Sequence, residues 1–105
     1  EFDVERAVEA ATRAYELTPT DAAVLDTLGW ALVQVGDLDR GLVHLREALS
    51  RNSRVPTIRY HLAVALEESG NRGEARSQLE RALSMRGYFP ERDNAEARLE
   101  RLRSR

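Results

Sequence analysis

Apolar residues recur along the chain three or four positions apart. Leu25, Leu28, Leu32 and Val35 form one such row, and Leu38, Leu42, Leu45 and Leu49 a second. Ile58, Leu62, Ala65 and Leu66, then Ala75, Leu79, Ala82 and Leu83, repeat the pattern. That spacing gives a helix one buried stripe, and alternation of the kind a strand needs never persists. Gly36-Asp37 and Gly70-Asn71 interrupt the rows where a helix can end on a left-handed glycine. Pro19, Pro56 and Pro90 sit near starts of the following helix, where a missing N–H costs little. Asp21 and Asp37 are placed as N-caps. The pattern predicts helices near residues 3–17, 22–35, 38–52, 56–69, 72–85 and 91–103.

The rows are themselves periodic. Shifting residues 22–55 by 34 onto 56–89 places Leu28 on Leu62, Leu32 on Leu66, Gly36 on Gly70 and Leu45 on Leu79 without a gap. Stepping back by the same 34 from Gly41 and Ala48 reaches Ala7 and Ala14. Residues 1–21 therefore read as the second helix of a truncated unit, 22–55 and 56–89 as two full units, and 90–105 as a closing helix. Gly29, Gly41, Ala63 and Ala75 are small where the helices of a pair must approach closely.

A helix–turn–helix unit of 34 residues resembles the tetratricopeptide repeat. The signature places hold Leu25, Leu28, Gly29, Leu32, Gly41, Leu45 and Ala48 in the first full unit. In the second they hold Arg59, Leu62, Ala63, Leu66, Ala75, Leu79 and Ala82. The family's first Trp is replaced by Leu25 and Arg59, and its closing Pro by Ser53 and Gly87. The resemblance implies an all-α solenoid of antiparallel helix pairs with a C-terminal capping helix. A finer likeness lies in Leu28-Gly29-Trp30, Arg59-Tyr60-His61-Leu62 and Phe89-Pro90-Glu91-Arg92. These resemble the C-terminal repeats of the bacterial tetratricopeptide lipoproteins of PEP-CTERM/exosortase systems, which are associated with exopolysaccharide production.

Composition narrows the chemistry. A chain of 105 residues, 42% apolar and 32% charged, suits one folded domain. There is no cysteine, so disulfides, thiolate metal sites and a cysteine nucleophile are excluded. His44 and His61 lie on different expected helices, and no HExxH, GxSxG, phosphate-loop or EF-hand pattern occurs. Glu67-Glu68 reads as a solvated helix end rather than an acid/base pair. No catalytic, cofactor or metal residue is assigned, and no enzyme activity is expected. Residues 1–50 carry ten acids against four arginines, net −6, and residues 51–105 eight against twelve, net +4. A net charge of −2 argues against nucleic acid as a partner. Arg98, Arg101, Arg103 and Arg105 alternate with acids, which argues the same way. All 16 basic residues are Arg, a bias that GC-rich coding explains.

In the family, the first helix of each pair lines a groove, so the resemblance points to a protein or peptide as the partner. The candidate contacts are Asp26, Trp30, Val33 and Gln34 in one unit and Tyr60, His61, Val64 and Glu67 in the next. Asp26, Trp30 and Val33 share a face by helical spacing, as do Tyr60, Val64 and Glu67. Trp30 could equally pack against a neighbouring repeat, and for Tyr60 packing is the preferred reading. Asp26 would repel the C-terminal carboxylate that chaperone-binding members of the family hold.

Leu99 and Leu102, with Ala95, are expected to cover the last pair while the charges of 91–103 face solvent. The chain opens at Glu1, so an upstream signal or lipid anchor is expected to have been removed. Any membrane attachment would run through that anchor. The envelope is favoured by resemblance, with the cytoplasm left open. Phe2, Val4, Val8, Ala11 and Tyr15 are expected to form an exposed apolar edge prone to self-association. Together these features describe a non-enzymatic interaction module, the end of a larger bacterial scaffold for envelope or exopolysaccharide export. The alternatives are a purely structural cap of an array whose groove lies upstream, or a cytoplasmic adaptor.

Overall fold

The computed structural model describes residues 3–104, which form six α-helices and no strand. Two compact units divide between Ser53 and Arg54. The first holds α1 (Val4–Leu17), α2 (Ala22–Gln34) and α3 (Leu38–Arg51). The second holds α4 (Pro56–Glu68), α5 (Arg72–Ser84) and α6 (Arg92–Arg103). Each end lies within one residue of the sequence expectation. Glu1, Phe2 and Arg105, named above, lie outside the described residues.

Local chemistry sets these ends. The Asp21 and Asp37 carboxylates accept from the backbone N–H of Val24 and Arg40, at 3.1 and 3.4 Å. Asp3 and Asn71 cap α1 and α5 in the same way. At the other end, α2 closes with the Asp37 N–H donating to Leu32 C=O and the Gly36 N–H to Val33 C=O. In α4 the same pair is Asn71 to Leu66 and Gly70 to Glu67. This closure needs a left-handed residue, and Gly36 and Gly70 supply it with φ of 90° and 88°. Pro56 opens α4 at its first turn, where its missing N–H has no helical partner to lose.

Helices pack mainly on their neighbours in sequence, α1 on α2 and α2 on α3 in the first unit, α4 on α5 and α5 on α6 in the second. Leu25, Leu28, Leu32 and Leu45 fill the first core, and Ile58, Leu62, Leu66 and Leu79 the second, all essentially without exposure. The α2–α3 crossing is the tightest contact. A Cβ on Gly29 would stand 2.7 Å from Leu45 Cγ and 3.1 Å from the Gly41 carbonyl oxygen. A Cβ on Gly41 would stand 2.8 Å from Val33 Cγ2 and 3.0 Å from the Gly29 carbonyl oxygen. One unit later the same places are Ala63 and Ala75, fully buried.

The expected bare N-terminal edge is in part in use, and Val4 and Val8 still border open space. Ala11 is buried in a cluster with Leu28 and Leu32, and Val8 and Tyr15 pack against it. The turns from α1 into α2 and α3 bring these groups inward, which the periodicity of α1 alone does not reveal.

Candidate interaction surface

The candidate residues on α2 and α4 meet different fates. On α2, Asp26 and Trp30 are half-buried, Val33 is buried and Gln34 is exposed. On α4, Tyr60, His61 and Val64 are all buried, and Glu67 is half-buried. Helical spacing puts Tyr60, Val64 and Glu67 on one side of α4. It does not reveal that α6 and the loop before it cover that region. Thr57 Oγ1 donates to Glu91 Oε1 at 2.6 Å, joining residues one repeat length apart. Arg98 Nη1 donates to Glu67 Oε1 at 2.6 Å, with both side chains about one-fifth exposed. The Tyr60 ring meets Phe89 edge-on at 6.3 Å.

The sequence places the charges of 91–103 in solvent, but Glu91, Arg92 and Arg98 are half-buried against their neighbours. Besides Glu91 and Arg98, Arg103 pairs with Glu80 at 2.8 Å. Arg92 lies over the Phe89 ring at 5.4 Å and donates to the carbonyls of Leu83 and Met85. Long side chains can place a charged head on polar atoms of a neighbour while their stems cover apolar surface. Ala95, Leu99 and Leu102 are buried beneath them, as expected of a covering helix. The Thr57–Glu91 contact had a trace in the sequence, since both residues follow a proline in the same phase.

His44 on α3 is half-buried, with Tyr15 edge-on at 5.1 Å. Burial, and then the nearby Arg40 cation, push its pKa below the ordinary value of 6.5, while Glu47 acts in the opposite direction. Arg59 donates to Gln78 Oε1 at 2.9 Å, and burial, then Arg81, lower its pKa. No group of three or more His, Cys, Asp or Glu among the described residues is placed to hold a metal ion. No helix among them is long and apolar enough to cross a membrane.

Paired helices closed by glycine turns, repeated after 34 residues, define a helical-repeat fold. The tetratricopeptide repeat profile matches residues 32–99, and the chain belongs to that family. The fold typically serves as a non-catalytic interaction module. Among curated proteins, none matches the chain in sequence. Solved structures share its fold. A tetratricopeptide repeat protein of Thermus thermophilus is 24% identical over 97% of this chain, with a TM-score of 0.79. This chain covers 50% of that protein. The Yersinia enterocolitica type III secretion chaperone SycD, in complex with a peptide of the translocator YopD, is 21% identical over 96% of this chain. There the TM-score is 0.82 and 80% of SycD is covered. The Arabidopsis OM64 domain of the same family is 19% identical over 96%, with 81% of it covered and a TM-score of 0.84.

Proposed function

We propose that the chain is a non-enzymatic protein-interaction module in which α2 reads the partner. The observation that carries this is Trp30, which is only half-buried on α2, one turn after Asp26 and one turn before exposed Gln34. Tryptophan is favoured at binding hot spots because it brings a large, rigid apolar area. Asp26 beside it suits a peptide that offers apolar and basic side chains. SycD with its YopD peptide is a precedent for this fold holding a peptide. For the wider setting we propose a bacterial scaffold for envelope or exopolysaccharide export. Its support is the sequence likeness around Leu28-Gly29-Trp30 and Phe89-Pro90-Glu91-Arg92.

The second unit favours a different role. With Tyr60, His61 and Val64 buried, α4 presents little for a partner to read. That favours a structural role for α4 to α6, which would terminate an array rather than bind. Immobilised chain challenged with envelope extract from a bacterium that makes exopolysaccharide tests the division. Trp30→Ala should reduce the protein captured by wild type at least tenfold at unchanged helicity. Undiminished capture would overturn the reading of α2.

A further inference from the structure

The first unit carries an open groove of about 770 Å³ between the start of α1 and the α2–α3 turn. Val4, Val8, Leu32 and Val35 give it apolar walls. Its charged lining is Glu5, Glu9, Asp37 and Arg40. Arg40 is engaged by Asp37 at 3.3 Å. The carboxylates of Glu5 and Glu9 have no ion pair or hydrogen bond among the described residues and stand one turn apart on an exposed face. Like charges at that spacing repel, so a basic group set between them would relieve both. Neither Asp26 nor Trp30 lines this groove.

The second unit carries a projection of complementary chemistry. Tyr88 is 88% exposed, the largest value among the exposed large apolar side chains. Its neighbours explain why it points outward. Phe89 is buried against Tyr60, Gly87 turns the chain at φ 103°, and Arg92 holds the carbonyls of Leu83 and Met85. The residues after Tyr88 are thus held in place, so less of the loop has to be ordered on binding. Arg86, two residues before Tyr88, is exposed and has no ion pair or hydrogen bond among the described residues.

We infer that the chain binds a second copy of itself head to tail, with Tyr88 of one copy seated between Val4, Val8, Leu32 and Val35 of the other and Arg86 between Glu5 and Glu9. The charge imbalance of the two halves, −6 over residues 1–50 and +4 over 51–105, acts in the same direction. The contact joins two different surfaces, so it is heterologous and leaves one groove and one loop free on each pair. This surface shares only Gln34 with the α2 face proposed for a partner, so either can fail without the other.

Sedimentation of the 105-residue chain across a concentration series at low and high salt tests this. The average mass should rise with concentration and fall as salt screens the pair. Tyr88→Ala should weaken association more than about tenfold, as loss of an aromatic anchor does. Glu5→Arg/Glu9→Arg and Arg86→Glu should each do the same at unchanged helicity. An equimolar mixture of Glu5→Arg/Glu9→Arg with Arg86→Glu should associate again, because each copy then complements the other. A wild-type monomer at every concentration, association that survives Tyr88→Ala, or a mixture that stays monomeric would overturn the inference.

Discussion

Adding one methyl group at Gly29 tests the α2–α3 crossing directly. Its Cβ would stand 2.7 Å from Leu45 Cγ, a branch point in a side chain with no exposure, and 3.1 Å from a backbone oxygen. Neither neighbour can swing aside as the tip of a long side chain would. Forced overpacking of this kind costs about 1–3 kcal/mol. Against it stands the gain in helix propensity, up to about 1 kcal/mol for Ala over Gly. Gly29→Ala should therefore lower stability by about 1 kcal/mol net, or about 4–8 °C in Tm for a chain this small. Gly73, in the first turn of α5, supplies the control, because a Cβ there meets nothing within 4 Å. Gly73→Ala keeps the propensity gain without the clash and should raise Tm. The steric cost can then be isolated in a cycle with Leu45→Ala. Once Leu45 Cγ is gone, Gly29→Ala should be neutral or stabilising, a coupling of about 1–2 kcal/mol. Urea and thermal melts of the five proteins, wild type included, give all these quantities. Equal stabilisation by Gly29→Ala and Gly73→Ala would refute the close-approach argument.

Two further outcomes are expected. Leu45→Ala and Leu79→Ala each empty a fully buried site and should cost about 2–5 kcal/mol in urea melts; a wild-type midpoint for either would show the core to be misassigned. Because the pKa of His44 is lowered by burial and then by Arg40, the unfolded chain takes up this proton first as pH falls. The stability tied to neutral His44 is complete above its unfolded value of about 6.5 and is lost as pH drops through the lower folded value. His44→Phe, which keeps a ring against Tyr15, should lose less stability than wild type between about pH 7.5 and pH 5; equal losses would contradict the assignment.

The elements themselves were legible because they rest on local chemistry. Apolar residues every third or fourth place mark each buried stripe, and Asp21, Asp37, Gly36 and Gly70 mark its ends within a few residues. Burial of the candidate surface was less legible. Tyr60 and Trp30 are both aromatic residues on a first helix with a carboxylate on the same expected face, Glu67 and Asp26. Their difference comes from α6 and Phe89, which reach α4 through side chains some 30 positions away. Gln78 accepting from Arg59 and Arg98 donating to Glu67 are similarly invisible to periodicity, since a charge on a helix face does not announce its partner. The glycine pair lay between these cases. Small residues at positions 29 and 41 signalled close approach, but only backbone coordinates showed that alanine fits one unit and not the other.

Because the helices of each unit pack mainly on their neighbours in sequence, each unit has short distances to search as it folds. Turns of a few residues join most of the helices, so each docking step closes a small loop. The cost of closure grows only logarithmically with length, by about 0.6 kcal/mol for each doubling. Chains dominated by such local contacts reach the native state in roughly microseconds to milliseconds. The hydrogen bond between Thr57 and Glu91 spans 34 residues, so it closes a longer loop than any turn between adjacent helices. We expect α6 to complete its docking on α4 late in the folding of the second unit. Residues that hold it, Arg98 above all, should then govern how fast that unit opens and leave its rate of formation nearly unchanged.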